Sequence, residues 1–170
     1  ANLSSLATIL YWLKADMTIE ENVQYNNSSN IDDNTGISDI VMDPNNSRVL
    51  FAGAWQLELK TWIRVSGGPG SGIFKSIDGG LSWNRLKDNG LPKKDVGKIA
   101  LAMTPASPDR LYALIETGDS IPYNGKETES GELWRSEDNG KTFKLINSNR
   151  ELGSRQAYYT RIAASPDNAN

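Results

Sequence analysis

Apolar positions along the chain fall in short runs separated by turn-forming residues, and these runs recur with a period of about 60 residues. The segment Gly72–Trp83 (GIFKSIDGGLSW) recurs as Gly131–Phe143 (GELWRSEDNGKTF). The block Ile40–Ala52 recurs as Ile99–Ala113, and a third copy begins at Ile162–Asp167. Within these blocks Pro44, Pro105 and Pro166 stand at one constant interval. The chain therefore consists of at least two copies of one structural unit.

Each unit contains four runs of β-forming residues bounded by Pro, Asn, Ser, Asp or Gly. Four strands per long repeat predict an all-β fold, a fragment of a β-propeller with four-stranded antiparallel blades. A sandwich would not produce the long-range copy, and parallel sheets need helical crossovers that this pattern lacks. The predicted strands lie around Ile40 and Ile99, then at Val49–Trp55 and Arg110–Glu116, Gly72–Ser76 and Glu132–Ser136, and Ser82–Leu86 and Thr142–Ile146.

The repeat divides the chain into a first blade over residues 31–95 and a second over residues 96–158. Residues 159–170 are expected to begin a third, truncated blade, which leaves residues 1–30 unassigned. Within that N-terminal segment, the apolar residues of Leu3–Leu13 fall at helical spacing and favour a short packed helix over a signal-peptide core. A chain of this content is expected to be a sector of a longer protein, or a unit that closes a ring with copies of itself.

The composition limits the kinds of catalytic and metal-binding site that the chain can form. The chain has no cysteine and no histidine, which excludes disulfides, thiolate or imidazole metal sites and Ser–His triads. The net charge of −3 gives no reason to expect a nucleic acid partner, and no apolar stretch reaches the roughly 20 residues of a membrane span. Neither a cofactor nor a metal ion is predicted. Any catalysis has to use carboxylates, Tyr, Lys, Arg or a hard cation bound by oxygen ligands.

The best-matched part of the repeat resembles a known motif. Ser76, Asp78, Gly80, Ser82 and Trp83 correspond to the second set, Ser136, Asp138, Gly140, Thr142 and Phe143. This S-x-D-x-G-x-[ST]-[WF] pattern resembles the Asp box, or BNR repeat, of sialidases, xyloglucan-cleaving glycosidases, sortilin-type receptors and a photosystem assembly factor. The runs Ser66–Ser76 and Tyr158–Ile162 are similar to bacterial secreted proteins called glycosyl hydrolase BNR repeat or sortilin (VPS10) N-terminal-like. The resemblance implies an exported bacterial protein, whether periplasmic, on the cell surface or secreted.

The motif also has a physical interpretation. It is expected to form the hairpin turn between the third and fourth strands, with the Asp78 or Asp138 carboxylate accepting backbone N–H groups of its own loop. Gly80 and Gly140 are expected to adopt conformations that residues with a Cβ avoid. Trp83 and Phe143 are expected to insert between sheets. A structural role is favoured over catalysis or calcium binding by the two aspartates.

Alternating strands place the first-to-second turns at the same end of the sheets as these motifs. The longer connections lie at the opposite end, which is the expected binding face. By the repeat, Asp39, Lys98 and Arg161 are predicted to ring a central channel near that face, either gripping a ligand or forming a solvated charge cluster. Further candidates for ligand contact, suited to stacking on a carbohydrate ring, are Trp62, Arg64, Tyr158 and Tyr159.

Two functions remain open from the sequence. The favoured one is a binding scaffold for a protein, peptide or glycan, and the partners are the remaining blades or further copies of the chain. The alternative is a glycoside hydrolase, sialidase-like or xyloglucanase-like, with two catalytic carboxylates. Arg161-Ile162-Ala163 lacks the proline of the sialidase Arg-Ile-Pro signature. The candidate carboxylates on the expected face are Asp39, Glu58, Asp95, Glu116, Asp119, Glu127 and Glu129.

Overall fold

The computed structural model describes residues 33–118, 130–153 and 156–168. The N-terminal segment 1–30, with the helix predicted over Leu3–Leu13, lies outside the described residues, as do Asp119, Glu127 and Glu129. The described chain forms nine strands in two antiparallel sheets, so the all-β, antiparallel prediction is confirmed. None of the described helices is long and apolar enough to cross a membrane.

The two sheets have the same construction. The first contains β1 (Thr35–Asp43), β2 (Asn46–Lys60), β3 (Ile63–Ser66), β4 (Gly72–Ser76) and β5 (Asn84–Arg85), in the order β1-β2-β4-β5, with β3 paired to the end of β2. The second contains β6 (Ile99–Thr104), β7 (Ser107–Glu116), β8 (Gly131–Ser136) and β9 (Lys144–Asn147), in the order β6-β7-β8-β9. A 3-10 turn at Arg150–Gly153 and one helical turn, α1 (Gln156–Tyr159), follow.

The second strand of the first sheet is longer than predicted. It continues past Trp55 to Lys60, because Leu57 to Lys60 pair in register with Ser66 to Ile63 of β3. The connection Gln56–Ser71, between the predicted strands Val49–Trp55 and Gly72–Ser76, therefore contains a β-hairpin. We call Leu57–Ser66 the hairpin.

The start of the third copy does not form the predicted strand. Residues 160–168 adopt no regular secondary structure. A β-strand needs backbone hydrogen bonds to a neighbouring strand, and among the described residues no strand pairs with Ile162–Asp167. The segment still packs on the second sheet, where the Thr104 hydroxyl donates to the Ser165 carbonyl. A small cleft of about 160 Å³ separates it from Tyr112 and Leu133.

The core lies between the two sheets. Residues pointing from alternate positions of β2 and β4 meet those of β6 and β7, since side chains alternate between the two faces of a strand. Gly53 of β2 allows a close approach, because a Cβ there would lie 3.1 Å from the side chain of Ile99. The buried residues of this interface are Phe51, Ile73, Val96, Ile99, Leu101, Leu111, Ala113, Ile115 and Phe143.

Polar groups of β1 also join the first strands of the two sheets. The Ser38 hydroxyl donates to the Ile99 carbonyl over 2.7 Å, between residues separated by the same 61 positions as Pro44 and Pro105. The Leu101 N–H donates to the Asp39 carboxylate over 2.8 Å. The first strands, β1 and β6, are therefore neighbours across the sheet interface.

The two ends of the sheets differ as the strand pattern predicts. The β1–β2 turn meets the loop between β4 and β5, where the Gly79 N–H donates to the Arg48 carbonyl over 2.8 Å. The second sheet repeats this contact, with Asn139 N–H donating to the Asp109 carbonyl over 2.8 Å. The hairpin lies at the opposite end, whereas the link after β5 contacts the loop between β8 and β9 through Asn89. That opposite end is called the loop face below.

Candidate functional site

The two loops that follow Ser76 and Ser136 have the same hydrogen bonds. In the first repeat loop (Ser76–Trp83), Asp78 accepts the Ser82 N–H over 2.9 Å. It also accepts the Ser76 hydroxyl over 2.7 Å and the Ser82 hydroxyl over 2.5 Å. The carboxylate is thus held by donors of its own loop.

The second repeat loop (Ser136–Phe143) contains the same set of contacts. Asp138 accepts the Thr142 N–H over 2.8 Å and the Thr142 hydroxyl over 2.6 Å. The Ser136 hydroxyl donates to it over 2.8 Å. In both loops the serine hydroxyl in turn accepts the glycine N–H, from Gly80 or Gly140, over 2.8 Å.

These bonds lower the pKa values of the two carboxyls. The Ser82 hydroxyl and N–H hold the pKa of Asp78 far below its usual range. The Thr142 hydroxyl and N–H lower the pKa of Asp138 to about 2. A carboxylate whose charged form is this strongly hydrogen-bonded is a poor proton acceptor at neutral pH. The geometry supports a structural role for both aspartates over general-base catalysis.

The glycines of the loops have left-handed backbones, with φ of 97° at Gly80 and 81° at Gly140. A Cβ on Gly140 would lie only 2.7 Å from the ring of Phe51, so the second loop is pressed against the first sheet. At the preceding position Gly79 has φ of 84°, and Asn139 adopts φ of 58°. Asparagine tolerates this region better than most residues with a side chain.

The two loop aromatics occupy different environments, which corrects one prediction. Phe143 is buried in the core between the sheets, as expected. Trp83 is only half-buried and lies outside that core. Its indole N–H donates to the Gly80 carbonyl of its own loop over 3.0 Å. The physical reason is position: the second loop faces the first sheet, whereas the described residues provide no preceding sheet for the first loop.

At the loop face, the predicted charged trio is brought together only through Asp39. Both of its carboxylate oxygens accept backbone N–H groups, from Ile40 over 2.9 Å and from Leu101 over 2.8 Å. Burial raises the pKa of Asp39, and the charges of Arg161 and Lys98 act in the opposite direction. Arg161 is exposed. Asp39 therefore ties the sheets together, while the two cations remain beside it.

Lys98 takes part in a network that the sequence did not indicate. Its ammonium lies 5.1 Å from the centre of the Trp55 ring. The Trp55 indole donates to the Ser66 hydroxyl over 2.9 Å, and that hydroxyl donates to the buried Glu116 carboxylate over 2.6 Å. The same carboxylate accepts the Lys98 N–H over 2.7 Å. This network fixes the base of the hairpin against the second sheet.

A usable signal for this network lies in the repeat itself. Trp55 and Glu116 occupy corresponding positions at the ends of the second strands. This correspondence predicts that the two side chains have equivalent orientations in adjacent units. Ser66 gives no such signal, because it belongs to the hairpin, which has no counterpart among the described residues of the second sheet.

The four remaining candidates form one exposed surface. Trp62 stands at the tip of the hairpin with 84% of its surface exposed. The Arg64 guanidinium lies over the Tyr158 ring, 4.7 Å from its centre. The ring centres of Tyr158 and Tyr159 are 6.3 Å apart. The hairpin also exposes Leu59, Ile63 and Val65. Leu59 pairs with Arg64 and lies on the same face of the hairpin, whereas Ile63 and Val65 lie on the opposite face. We call Leu59, Trp62, Arg64, Tyr158 and Tyr159 the hairpin patch.

The described carboxylates of the loop face do not form an evident catalytic pair. Asp39 and Glu116 accept backbone N–H groups, as given above. Glu58 lies 2.7 Å from the Lys60 ammonium in an exposed ion pair, and Asp95 is exposed. Across residues 33–118, 130–153 and 156–168, no group of three or more acidic side chains is placed to hold a metal ion.

The site therefore combines a rigid base, formed by Trp55, Ser66 and Glu116, with an exposed aromatic and aliphatic patch above it. No model of a known protein family matches the chain, and no curated protein matches its sequence significantly. The likeness to Asp-box repeats accordingly rests on the residues of the two repeat loops and their shared hydrogen bonds.

Proposed function

We propose that this chain is a sector of an Asp-box β-propeller in an exported bacterial protein, and that it serves as a binding scaffold. Three features support the propeller: the equal strand order of the two sheets, their face-to-face packing and the matched repeat loops. The export and the bacterial source rest on the sequence resemblance alone. The further blades come from a parent chain or from copies of this one.

The hairpin patch carries the proposal for binding. Soluble proteins seldom expose several large apolar side chains together unless the surface is used for interaction. Here Trp62 and Tyr159 are 84% and 78% exposed, and Tyr158 is 62% exposed. Trp, Tyr and Arg are the residue types that contribute most at binding hot spots.

The chemistry of the patch fits an amphipathic ligand. The rings and aliphatic side chains offer stacking and apolar contact, as an extended peptide or the face of a sugar requires. The buried Arg64 Nε has no hydrogen-bond partner among the described residues. The Arg64 guanidinium carries five N–H donors in all, and an oxygen acceptor on the ligand, such as a carbonyl or hydroxyl oxygen, can bond a terminal one. A peptide or glycan with an oxygen acceptor beside an apolar surface is the expected partner.

We favour binding over hydrolysis because the two carboxylates closest to the network are committed. Asp39 and Glu116 each use an oxygen to hold a backbone N–H between or beside the sheets. A glycosidase needs one free carboxyl as acid and a second as base or nucleophile. Neither residue is available for such a role without giving up a structural bond.

The test is a screen of the assembled protein against a glycan array and a phage-displayed peptide library. The variant is Trp62→Ala combined with Tyr158→Ala. The control is Leu81→Ala, because Leu81 is 81% exposed in the first repeat loop at the opposite end of the sheet. We expect ligands selected on the native protein to lose affinity about tenfold or more with the double variant, as at other hot spots, and to keep it with the control.

Two results contradict the proposal. One is a screen without any enriched ligand. The other is a set of ligands whose affinity is the same for the native protein and the Trp62→Ala/Tyr158→Ala variant. Cleavage of chromogenic glycosides by the native protein, lost on changing a loop-face carboxylate, establishes the hydrolase instead.

A further inference from the structure

A second cleft opens where β4 and β5 meet the second repeat loop. Its volume is about 340 Å³. Four cationic side chains line it: Lys75, Arg85, Lys87 and Lys141. None of the described residues that line it carries a carboxylate. The cleft is therefore positively charged, although the chain as a whole has a net charge of −3.

Lys75 is the inner cation of the cleft. Its ammonium donates to the backbone and side-chain oxygens of Asn139 over 2.7 and 2.8 Å and lies 5.1 Å from the Phe51 ring centre. An ammonium has three N–H donors, so one remains for a ligand. Burial lowers the pKa of Lys75, and the charge of Lys141 lowers it further against the weaker, opposite effect of Asp43 and Asp138. The cations thus repel one another.

Among the described residues, none of the four cations forms an ion pair with a carboxylate. Arg85 donates to the backbone carbonyls of Pro69 and Ser71, which are neutral acceptors.

The cleft is also held in shape from both sides. The Asn89 side chain donates to the Gly140 carbonyl over 3.2 Å. Its backbone carbonyl accepts the Phe143 N–H over 2.7 Å. The link after β5 is thereby fixed to the second repeat loop, and the cations of the two elements stay within one cleft.

We propose that this cleft binds an oxyanion, a sulfate or phosphate group, either as the free ion or as part of an acidic polymer. Lysine is a common ligand of such groups and forms charge-assisted hydrogen bonds with their oxygens. A bound anion also relieves the repulsion among the four cations. The cleft lies along β4, β5 and the second repeat loop, and none of its lining residues belongs to the hairpin patch, so the site is independent of the function proposed above.

Calorimetric titration of the native protein with sodium sulfate, sodium phosphate and dextran sulfate tests the proposal, at an ionic strength held constant with sodium chloride. We expect saturable binding. The double variant Lys87→Glu/Lys141→Glu is expected to weaken it about tenfold or more, since each lost bond to a charged group is substantial. The control, Lys93→Glu/Lys144→Glu, changes net charge equally at two exposed positions outside the cleft and is expected to bind as the native protein does.

The three titrants distinguish the sources of the anion. Equal affinity per site for sulfate or phosphate and the polymer identifies a free-ion site. Tighter binding of dextran sulfate with a steep salt dependence identifies a polymer site. If the melting curve of Lys87→Glu/Lys141→Glu shows a folding defect, the variant Lys87→Ala/Lys141→Ala is used in its place. Absence of saturable binding of all three titrants overturns the proposal, as does equal weakening in the cleft and control variants.

Discussion

Single residues show how the two repeats differ in detail. Asn139 takes the place of Gly79 in the loop and keeps a left-handed backbone. Its side chain explains the exchange, because it donates to Asp43 over 2.8 Å and accepts from Lys75, both in the first sheet. At Gly79 no atom lies within 4 Å of an added Cβ. The side chain at this position therefore serves as a clamp between sheets only where a sheet stands beside it.

The loop carboxylates predict an acid-sensitive stability. Because the folded pKa of Asp138 lies near 2 and its ordinary value is 3.8, the unfolded chain binds a proton first as the pH falls. The stabilisation by this carboxylate is complete above pH 3.8 and is lost as the pH approaches 2. Chemical denaturation of Asp138→Asn, measured at several pH values, should show a smaller loss over that window than the native protein.

The matched control is Asp95→Asn, at an exposed position outside the repeat loops. We expect it to follow the native pH dependence. An Asp138→Asn variant whose free energy of unfolding falls between pH 4 and pH 2 as steeply as the native value contradicts the assigned bonds.

At the scale of elements, the four strands of each unit follow from the sequence, whereas the hairpin was missed. Apolar and charged residues do alternate along its first strand, with Leu57 and Leu59 on one face and Glu58 and Lys60 on the other. The turn between them contains Thr61 and lacks the Asn-Gly or Asp-Gly pair that marks a two-residue hairpin loop. Local pairing with β3 extends β2 beyond the point where the repeat copy ends.

The candidate site was predicted in part for a related reason. The repeat singled out Asp39 and Lys98, which do lie near each other, but the strand registers align Asp39 with Ala100 and not with Lys98. It did not indicate that the Asp39 oxygens are occupied by the Ile40 and Leu101 N–H groups. Such bonds depend on how two sheets approach each other, which strand periodicity alone does not determine. The contact of Arg64 with Tyr158 likewise joins the hairpin to a distant segment.

The two loop aromatics provide a prediction for element packing. Phe143→Ala empties a site that is 5% exposed between the sheets and should lower the free energy of unfolding by about 3–5 kcal/mol. Trp83→Ala removes a half-buried ring and should cost less, about 1–2 kcal/mol, because less apolar area returns to water. Denaturant titration at a fixed protein concentration measures both. Equal losses for the two variants contradict the assignment of Phe143 alone to the described interface.

At the scale of the whole molecule, the sheets pack as successive copies of one unit. The Ser38–Ile99 and Thr104–Ser165 hydrogen bonds each join residues 61 positions apart. The second sheet thus contacts the first, and Ser165 contacts the second sheet. Repeated application of one operation builds a ring or a solenoid, and four-stranded units of this kind build propellers.

If the propeller proposal is correct, the two sheets need neighbours. Known propellers have about four to eight blades, and the described chain supplies two complete sheets. A chain with unpartnered sheet faces and strand edges tends to associate. In this account, additional units from a parent protein or from further copies cover these surfaces.

The most direct test is the molar mass of the purified 170-residue chain in solution, by light scattering coupled to size-exclusion chromatography. The account predicts an assembly of at least two copies of the 18.7 kDa chain, or heterogeneous association, and no stable monomer. A monodisperse 18.7 kDa monomer that unfolds in one cooperative transition would contradict the claim that these sheets are blades in need of neighbours.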